Sequence, residues 1–294
     1  MTNSNISLIH TTNLTTALGL KPGDVVSLVG GGGKTSTMFR LAHELAAAGR
    51  RVISTTTTRI VPPTPQESEF LILAENEATL TMRARIALRR YRHVTVAHSC
   101  PNADKIKGLL PQTVDCLHHL DLAEYIINEA DGAAGQPLKA PKPTEPVMPS
   151  STSLVVAVVG IEAIGRPLLA ENAFRIENIS RLTGLKEGDL ITTEAVATLL
   201  THPQGIIQYA PKGRIVPLIN KVGEKQAAQA EALAIEVLHR QHPQIAMVVF
   251  GEVRRPACPL TVVFVKTDGL DDNPNCPSLK FIKEDPCTTT YTAR

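Results

Sequence analysis

The run Gly30-Gly31-Gly32-Gly33-Lys34-Thr35-Ser36, placed directly after the apolar stretch Val25–Val29, constrains the fold more than any other part of the chain. Consecutive glycines let the backbone take positive φ and approach a ligand closely. Between a strand and a helix, such a run reads as a phosphate-binding loop. Its amides point inward at a helix start, Lys34 supplies a mobile positive charge, and Thr35 supplies a hydroxyl suited to Mg²⁺. All seven residues are therefore candidate nucleotide ligands, and the nucleotide expected is ATP or GTP with Mg²⁺. A plain glycine turn is the competing reading.

The fit to GxxxxGK[ST] is incomplete, because Leu28 stands where the first glycine belongs. What remains, GxxGKT, resembles the shortened loop of the ATP-dependent Mur ligases and folylpolyglutamate synthetases. A dinucleotide fingerprint fails more clearly. GxGxxG begun at Gly30 or Gly31 needs glycine at Thr35 or Ser36, and TTTTR fills the region where an acidic ribose ligand belongs.

Apolar runs alternate with helical patterns along the chain. Val25–Val29, a helix over Thr35–Ala48 and Arg51–Thr55 make a βαβ opening. Further strands are expected at Phe70–Leu73, Val94–His98, Tyr125–Glu129, Leu154–Val159, Ile215–Ile219, Ala246–Phe250 and Thr261–Val265. Helices are expected at Glu77–Arg90, Pro111–Leu120, Thr192–Leu200 and Lys225–His239. This alternation predicts an α/β fold, three-layer and P-loop NTPase-like, with a mostly parallel sheet and helices on both faces. A single domain over residues 1–267 is expected, with a possible subdivision at the proline-rich segment 140–151. A polar, flexible tail is expected over 268–294.

Composition narrows the class of partner. Thirty basic and 28 acidic side chains leave a net charge of +2, so no bulk electrostatic argument favours nucleic acid or membrane. The absence of Trp leaves few platforms for base stacking. No segment reads as a leader or a membrane span, and five widely spaced cysteines fit a reducing compartment, so a cytoplasmic protein is expected.

Three stretches carry the remaining chemistry. YIINEADGAAGQPLKAP starts as a strand and ends in Glu129 and Asp131. A carboxylate at a strand end can hold Mg²⁺ or its waters, and a second can orient a nucleophile. Thr35, Glu129 and Asp131 are thus the candidate metal set, with an Asp-Gly turn as the alternative. Lys139 and Lys142 follow in a loop, where an ammonium meets a phosphate or is simply solvated. TTTTR ends in Arg59, a guanidinium suited to neutralising phosphate charge, although threonines also favour strands. Lys34, Glu129, Asp131, Arg59 and Lys139 are the candidate catalytic residues. Asn220-Lys221, at the end of PLINK, resembles the start of the NKxD base-reading motif, but Gly223 occupies the aspartate position. Both remain nucleotide-contact candidates with the base unassigned. Arg85, Arg89 and Arg92 read as a solvated helix face, and His98, Cys100, Cys116 and His118 lack metal-site spacing.

Taken in order, VSLVGGGGKTSTMFRLAHEL, STTTTRI, KIKGLLP, INEADGAAGQPLKAPKPTEPVMP, VVGIEAIGRPL with FRIENISRLTG, and PLINKV resemble the selenium-dependent hydroxylase accessory protein family, often called YqeC. The most specific stretch, EADGA…PLKAP…EPV, makes Glu129, Asp131, Lys139 and Glu145 shared-motif positions. The resemblance implies a cytosolic P-loop protein that assists maturation of selenium-dependent molybdenum hydroxylases, in making or inserting a selenium cofactor. A hydroxylase or its cofactor carrier is then the implied partner. Three activities fit: an Mg²⁺-dependent NTPase, a nucleotide-gated chaperone or scaffold with little turnover, and a kinase- or ligase-like enzyme activating a small acid.

Overall fold

Unbroken burial of β-branched residues sets the architecture. Val25–Gly30, Leu154–Gly160 and Arg214–Asn220 are buried at every position, the pattern of parallel strands covered on both faces. The computed structural model describes residues 5–102, 104–258, 260–266 and 289–292. In chain order its elements are β1 (Asn5–Thr11), α1 (Leu14–Ala17), β2 (Val25–Gly30), α2 (Lys34–Ala47), β3 (Val52–Thr56), β4 (Arg59–Ile60), β5 (Leu71–Leu73), α3 (Glu77–Ala87), β6 (His93–Ala97), β7 (Ser99–Asn102), β8 (Lys105–Lys107), α4 (Pro111–His119) and β9 (Tyr125–Glu129). They continue with β10 (Leu138–Lys139), β11 (Leu154–Gly160), β12 (Ala173–Phe174), α5 (Ile176–Thr183), α6 (Thr193–Thr201), β13 (Arg214–Asn220), α7 (Ala227–His239), β14 (Met247–Gly251), β15 (Leu260–Lys266) and β16 (Thr289–Thr292).

Eleven strands form one sheet in the order β16-β1-β15-β14-β13-β11-β2-β9-β3-β6-β5. The strands from β14 to β5 run parallel, while β15, β1 and β16 add an antiparallel edge. The chain therefore leaves β2 towards β3 and later returns past β2 from β9 to β11. Such a reversal opens a crevice at the carboxyl ends of the strands. Register places Leu28 opposite Glu129, Val158 opposite Gly30, and Gly160 opposite Asn220, so the ends of β2, β9, β11 and β13 meet at that crevice.

Alternation of side chains along each strand assigns the helices to two faces. Val26, Leu28, Val156 and Val158 pack under α1 and α2 through Leu14, Met38 and Leu41. Val155, Val159, Ile215 and Val248 pack under α5, α6 and α7 through Ile179, Leu199 and Leu233. Ile53, Val94 and Ile126 are covered by α3 and α4 through Leu80 and Leu117. Local chemistry fixes the helix ends. Asn76 and Thr192 accept hydrogen bonds from Thr79 N and Ala195 N, Pro111 opens α4, and Gly184 closes α5 in the left-handed conformation.

Every strand and helix expected from the sequence is present, with ends shifted by at most three residues. Other features go beyond expectation, among them the short helix α1 and the two-stranded β10-β12 sheet. The amino terminus contributes β1, helix α5 was not anticipated, and β4, β8 and β7 form a separate small sheet. Within the expected tail, residues 289–292 pair with β1; 268–288 and 293–294 lie outside the described residues. The proline-rich segment 140–151 is tied at several points: Val147 N donates to Ala130 O at 2.9 Å, Gln208 Nε2 donates to Lys142 O at 2.6 Å, and the Asp115 carboxylate receives Ser150 and Ser151. No helix among the described residues is long and apolar enough to cross a membrane.

One core residue makes stability depend on pH. His93 is buried on β6 with Nε2 at 2.8 Å from Ser54 Oγ, and burial, with His43 nearby, pushes its pKa down to about 4. A depressed histidine contributes stability that is complete above its unfolded value of about 6.5 and is lost as pH falls through the folded one. Denaturant titrations should show a loss of about 3 kcal/mol between about pH 7 and pH 4. His93→Gln should flatten that part of the profile, and an unchanged slope would remove His93 as its cause.

Candidate functional site

The glycine loop leaves β2 and turns into α2 through a conformation that side chains do not permit. Gly30, Gly32 and Gly33 have φ of 93°, 75° and 125°. A Cβ on Gly32 would stand 2.2 Å from Gly160 N, so the loop lies directly against the end of β11. Gly31 N and Gly32 N donate to Val158 O at 2.8 Å and to Gln136 O at 2.9 Å. These amides are occupied within the fold. No side chain caps α2, and the amides of its first turn, at Lys34, Thr35 and Ser36, are the ones positioned to receive an anion.

Lys34 folds back across the loop, with Nζ donating to Gly30 O at 2.6 Å, and lies 3.3 Å from Asp131 Oδ1 and 3.7 Å from Glu129 Oε1. Thr35 Oγ1 donates to Glu129 Oε2 at 2.7 Å. Burial disfavours the Lys34 ammonium, but Asp131 and Glu129 together outweigh it and raise its pKa, so the charge is retained. Glu129 responds oppositely: burial raises its pKa, and the attraction of Lys34 and the Thr35 bond offset this only in part.

Asp131 joins this set to a second one. Its Oδ2 accepts from Gly30 N at 3.1 Å and lies 2.8 Å from Lys139 Nζ, while its buried Oδ1 accepts no hydrogen bond. Lys139, fully buried, also donates to Gly132 O at 2.7 Å and to Glu145 Oε2 at 3.0 Å. Glu145 is gripped through both oxygens by Arg175, whose NH2 lies 2.9 Å from Oε1. Burial alone would raise the Glu145 pKa, yet the Arg175 bonds and Lys139 hold it down to about 2. The result is a chain of alternating charges, Lys34, Asp131, Lys139, Glu145 and Arg175, running from the loop to the start of α5.

The other candidates are distributed around this chain. Thr55, Thr56 and Thr57 give their hydroxyl hydrogens to the carbonyls of Val96, Glu129 and Val147, so this run braces β3 against its neighbours. Arg59 is exposed on β4, pairs with β8, and shares a surface recess with Lys105 and Lys107. It is not part of the charge chain. Asn220 lies behind the loop, with Nδ2 donating to Gly32 O at 2.8 Å and Oδ1 accepting from Val253 N at 3.0 Å. Lys221 pairs with Glu162. Ser36 Oγ accepts from Arg254 Nε at 3.2 Å.

Sequence reasoning did not single out Arg175 or Arg254. A signal existed for the first, since FRIENISRLTG carries Ile176, Ile179 and Leu182 at helical spacing with Gly184 after them. Arg254 has no comparable local pattern; only the strand order brings the end of β14 to α2.

Fold and site together define an α/β protein whose large, mostly parallel sheet presents a glycine loop, a buried lysine and two carboxylates at one crevice. The family model described as YqeC protein matches residues 26–177. The protein named "Uncharacterized protein YqeC" of Escherichia coli (strain K12) is 33% identical over 237 residues, covering 78% of this chain and 88% of that one. The chain belongs to the YqeC family.

Proposed function

We propose that this protein is an Mg²⁺-dependent nucleotide-binding protein of the P-loop type that hydrolyses ATP, and that its turnover drives a step in maturation of selenium-dependent molybdenum hydroxylases. The observation that carries the nucleotide reading is the convergence of Lys34, Thr35, Glu129 and Asp131 at the uncapped start of α2. The order of strands supports it, since the carboxylate-bearing β9 lies directly beside the loop-bearing β2. The maturation role rests on the resemblance of the quoted motifs.

The residues present suit the metal. Thr35 Oγ1 and the carboxylates of Glu129 and Asp131 are hard oxygen donors, and Asp131 Oδ1 is buried with no hydrogen bond, the Lys34 ammonium 3.3 Å away being its charged neighbour. Bound there, Mg²⁺ would supply Lewis-acid polarisation of the terminal phosphates. The protein's own contribution is charge and orientation. Lys34 exchanges its carboxylate neighbours for the β- and γ-phosphates, the first amides of α2 point at the same oxygens, and Glu129 or Asp131 orients the attacking water. Asp131 stays in place as Lys34 moves, because Lys139 and Gly30 N continue to hold it.

Titration calorimetry with ATP, GTP and CTP, each with and without Mg²⁺, tests this reading directly. Mg²⁺-dependent binding of ATP, followed by phosphate release in a separate assay, is the expected result. Tight binding with no release, alone or with a hydroxylase added, would transfer the assignment to a nucleotide-gated scaffold. Absence of binding by any of the three would end it.

A further inference from the structure

Charge around the glycine loop is arranged unevenly on its two sides. Beside β9, Glu129 and Asp131 face the loop with Lys34 between them and Lys139 behind Asp131, so a phosphate arriving there lies against two carboxylates. On the opposite side, towards β13 and β14, the cation nearest the helix start is Arg254. Its Nε donates to Ser36 Oγ at 3.2 Å, and its guanidinium makes no ion pair among the described residues. Lys221, at the end of β13, is committed to Glu162, and Arg40 on α2 to Glu44.

The base of Arg254 is fixed although its side chain is exposed. The preceding residue, Val253, donates its N–H to Asn220 Oδ1 at 3.0 Å, and the same Asn220 side chain donates to Gly32 O at 2.8 Å. Val253 O in turn accepts from Arg40 NH1, on α2, at 3.0 Å. One asparagine thus ties the loop after β14 to the glycine loop, and one arginine ties it to the helix that follows. Ser36 is one residue beyond Thr35, about 100° further round the helix. Thr35 faces Glu129, so Ser36 and Arg254 lie on the other flank.

Resting on the nucleotide reading, we propose that Arg254 is the ligand of the nucleotide's inner (α) phosphate, and that the nucleoside end lies over the carboxyl ends of β13 and β14. A guanidinium has the planar fork that grips two phosphate oxygens, and Nε on Ser36 leaves NH1 and NH2 for them. The metal-dependent terminal phosphates then belong to Thr35 and Glu129, and the inner phosphate belongs to Ser36 and Arg254, while the carboxylate on this side, Glu162, is paired with Lys221. Asn220 is a positioning residue in this arrangement, holding the arginine-bearing loop instead of reading a base.

The α-phosphate is present in ATP and ADP alike and does not gain charge during hydrolysis. Arg254→Ala should therefore weaken binding of both nucleotides about ten- to hundredfold while kcat at saturation changes by less than about threefold. Arg254→Lys should recover part of the loss, and Arg255→Ala, an exposed neighbour, should bind as the wild type does. Calorimetry for affinity and steady-state kinetics for the KM-against-kcat split read these outcomes. Nucleotide affinity within twofold of wild type in Arg254→Ala, with Lys34→Ala devoid of binding, overturns the Arg254 assignment and leaves the nucleotide reading standing. Weakening of ATP alone, a fall in kcat with KM unchanged, or an equal loss in Arg255→Ala also overturns it. A wild-type protein that binds no nucleotide fails at the earlier step, before any variant is compared.

Discussion

Lys34→Ala is expected to reduce nucleotide hydrolysis about 100- to 1,000-fold or more, with the protein still folded. Two separate consequences follow from where Lys34 sits. The first is loss of the only cation that faces both Glu129 and Asp131 among the described ion pairs, which would leave the β- and γ-phosphates of the proposed nucleotide opposed by two carboxylates. The second is a change in stability, since burying carboxylates without a partner is costly. That cost is limited here. Asp131 keeps Lys139 and Gly30 N, and Glu129, whose pKa burial already raises, relieves its charge by taking a proton. A destabilisation of about 1–3 kcal/mol is therefore expected, small enough to leave a cooperative melt. Phosphate release and thermal melting on the same preparation separate the two effects. Turnover equal to wild type in a folded Lys34→Ala protein would sink the P-loop assignment, whatever the melt shows.

Different parts of the structure were legible in the sequence for different physical reasons. The central strands were readable because burial on both faces demands unbroken apolar runs, as in Leu154–Gly160. The loop was readable because few residues other than glycine adopt the φ values of Gly30, Gly32 and Gly33. Strand β1 was not: Asn5–Thr11 breaks its alternation at Leu8-Ile9 and again at His10-Thr11, beside an otherwise polar start, and its partner β15 lies at the far end of the chain. Among the candidate residues, the sequence could nominate Lys139 and Arg59 by type and strand position, but not their surroundings. The fold buries Lys139 completely among Asp131, Gly132 O and Glu145, and leaves Arg59 exposed on a separate small sheet. The two arginines nearest the site chemistry, Arg175 and Arg254, reach it through contacts spanning 30 and 218 residues. No local window contains that information.

Lys139→Met should be the most destabilising of the single changes, by about 3–5 kcal/mol. Methionine nearly preserves the volume, so the loss reads the charge and not a cavity. All three acceptors around the ammonium are fixed by other parts of the fold. Asp131 is held by Gly30 N, Glu145 by Arg175, and Gly132 O belongs to the turn between them. Asp131 cannot withdraw to water when the ammonium is gone, because Lys139 and Asp131 are both fully buried. Glu145 gives the same interaction a pH signature. Held down to about 2 by Arg175 and Lys139 against burial, it contributes stability that is present above about pH 4.5 and disappears as pH falls through about 2. With Lys139 removed, the Glu145 pKa rises towards its ordinary value and the acid limb of the stability profile moves to higher pH. Adding Asp131→Asn to Lys139→Met removes the stranded charge and should restore part of the loss, so that the double variant is more stable than the two single costs summed. Urea denaturation of the wild type, both single variants and the double variant at about pH 7 and pH 4 measures all four terms. A cost below about 1 kcal/mol for Lys139→Met would show that the segment from Gly132 to Glu145 is held by packing alone, and that the charge chain from Lys34 to Arg175 does not connect the glycine loop to α5.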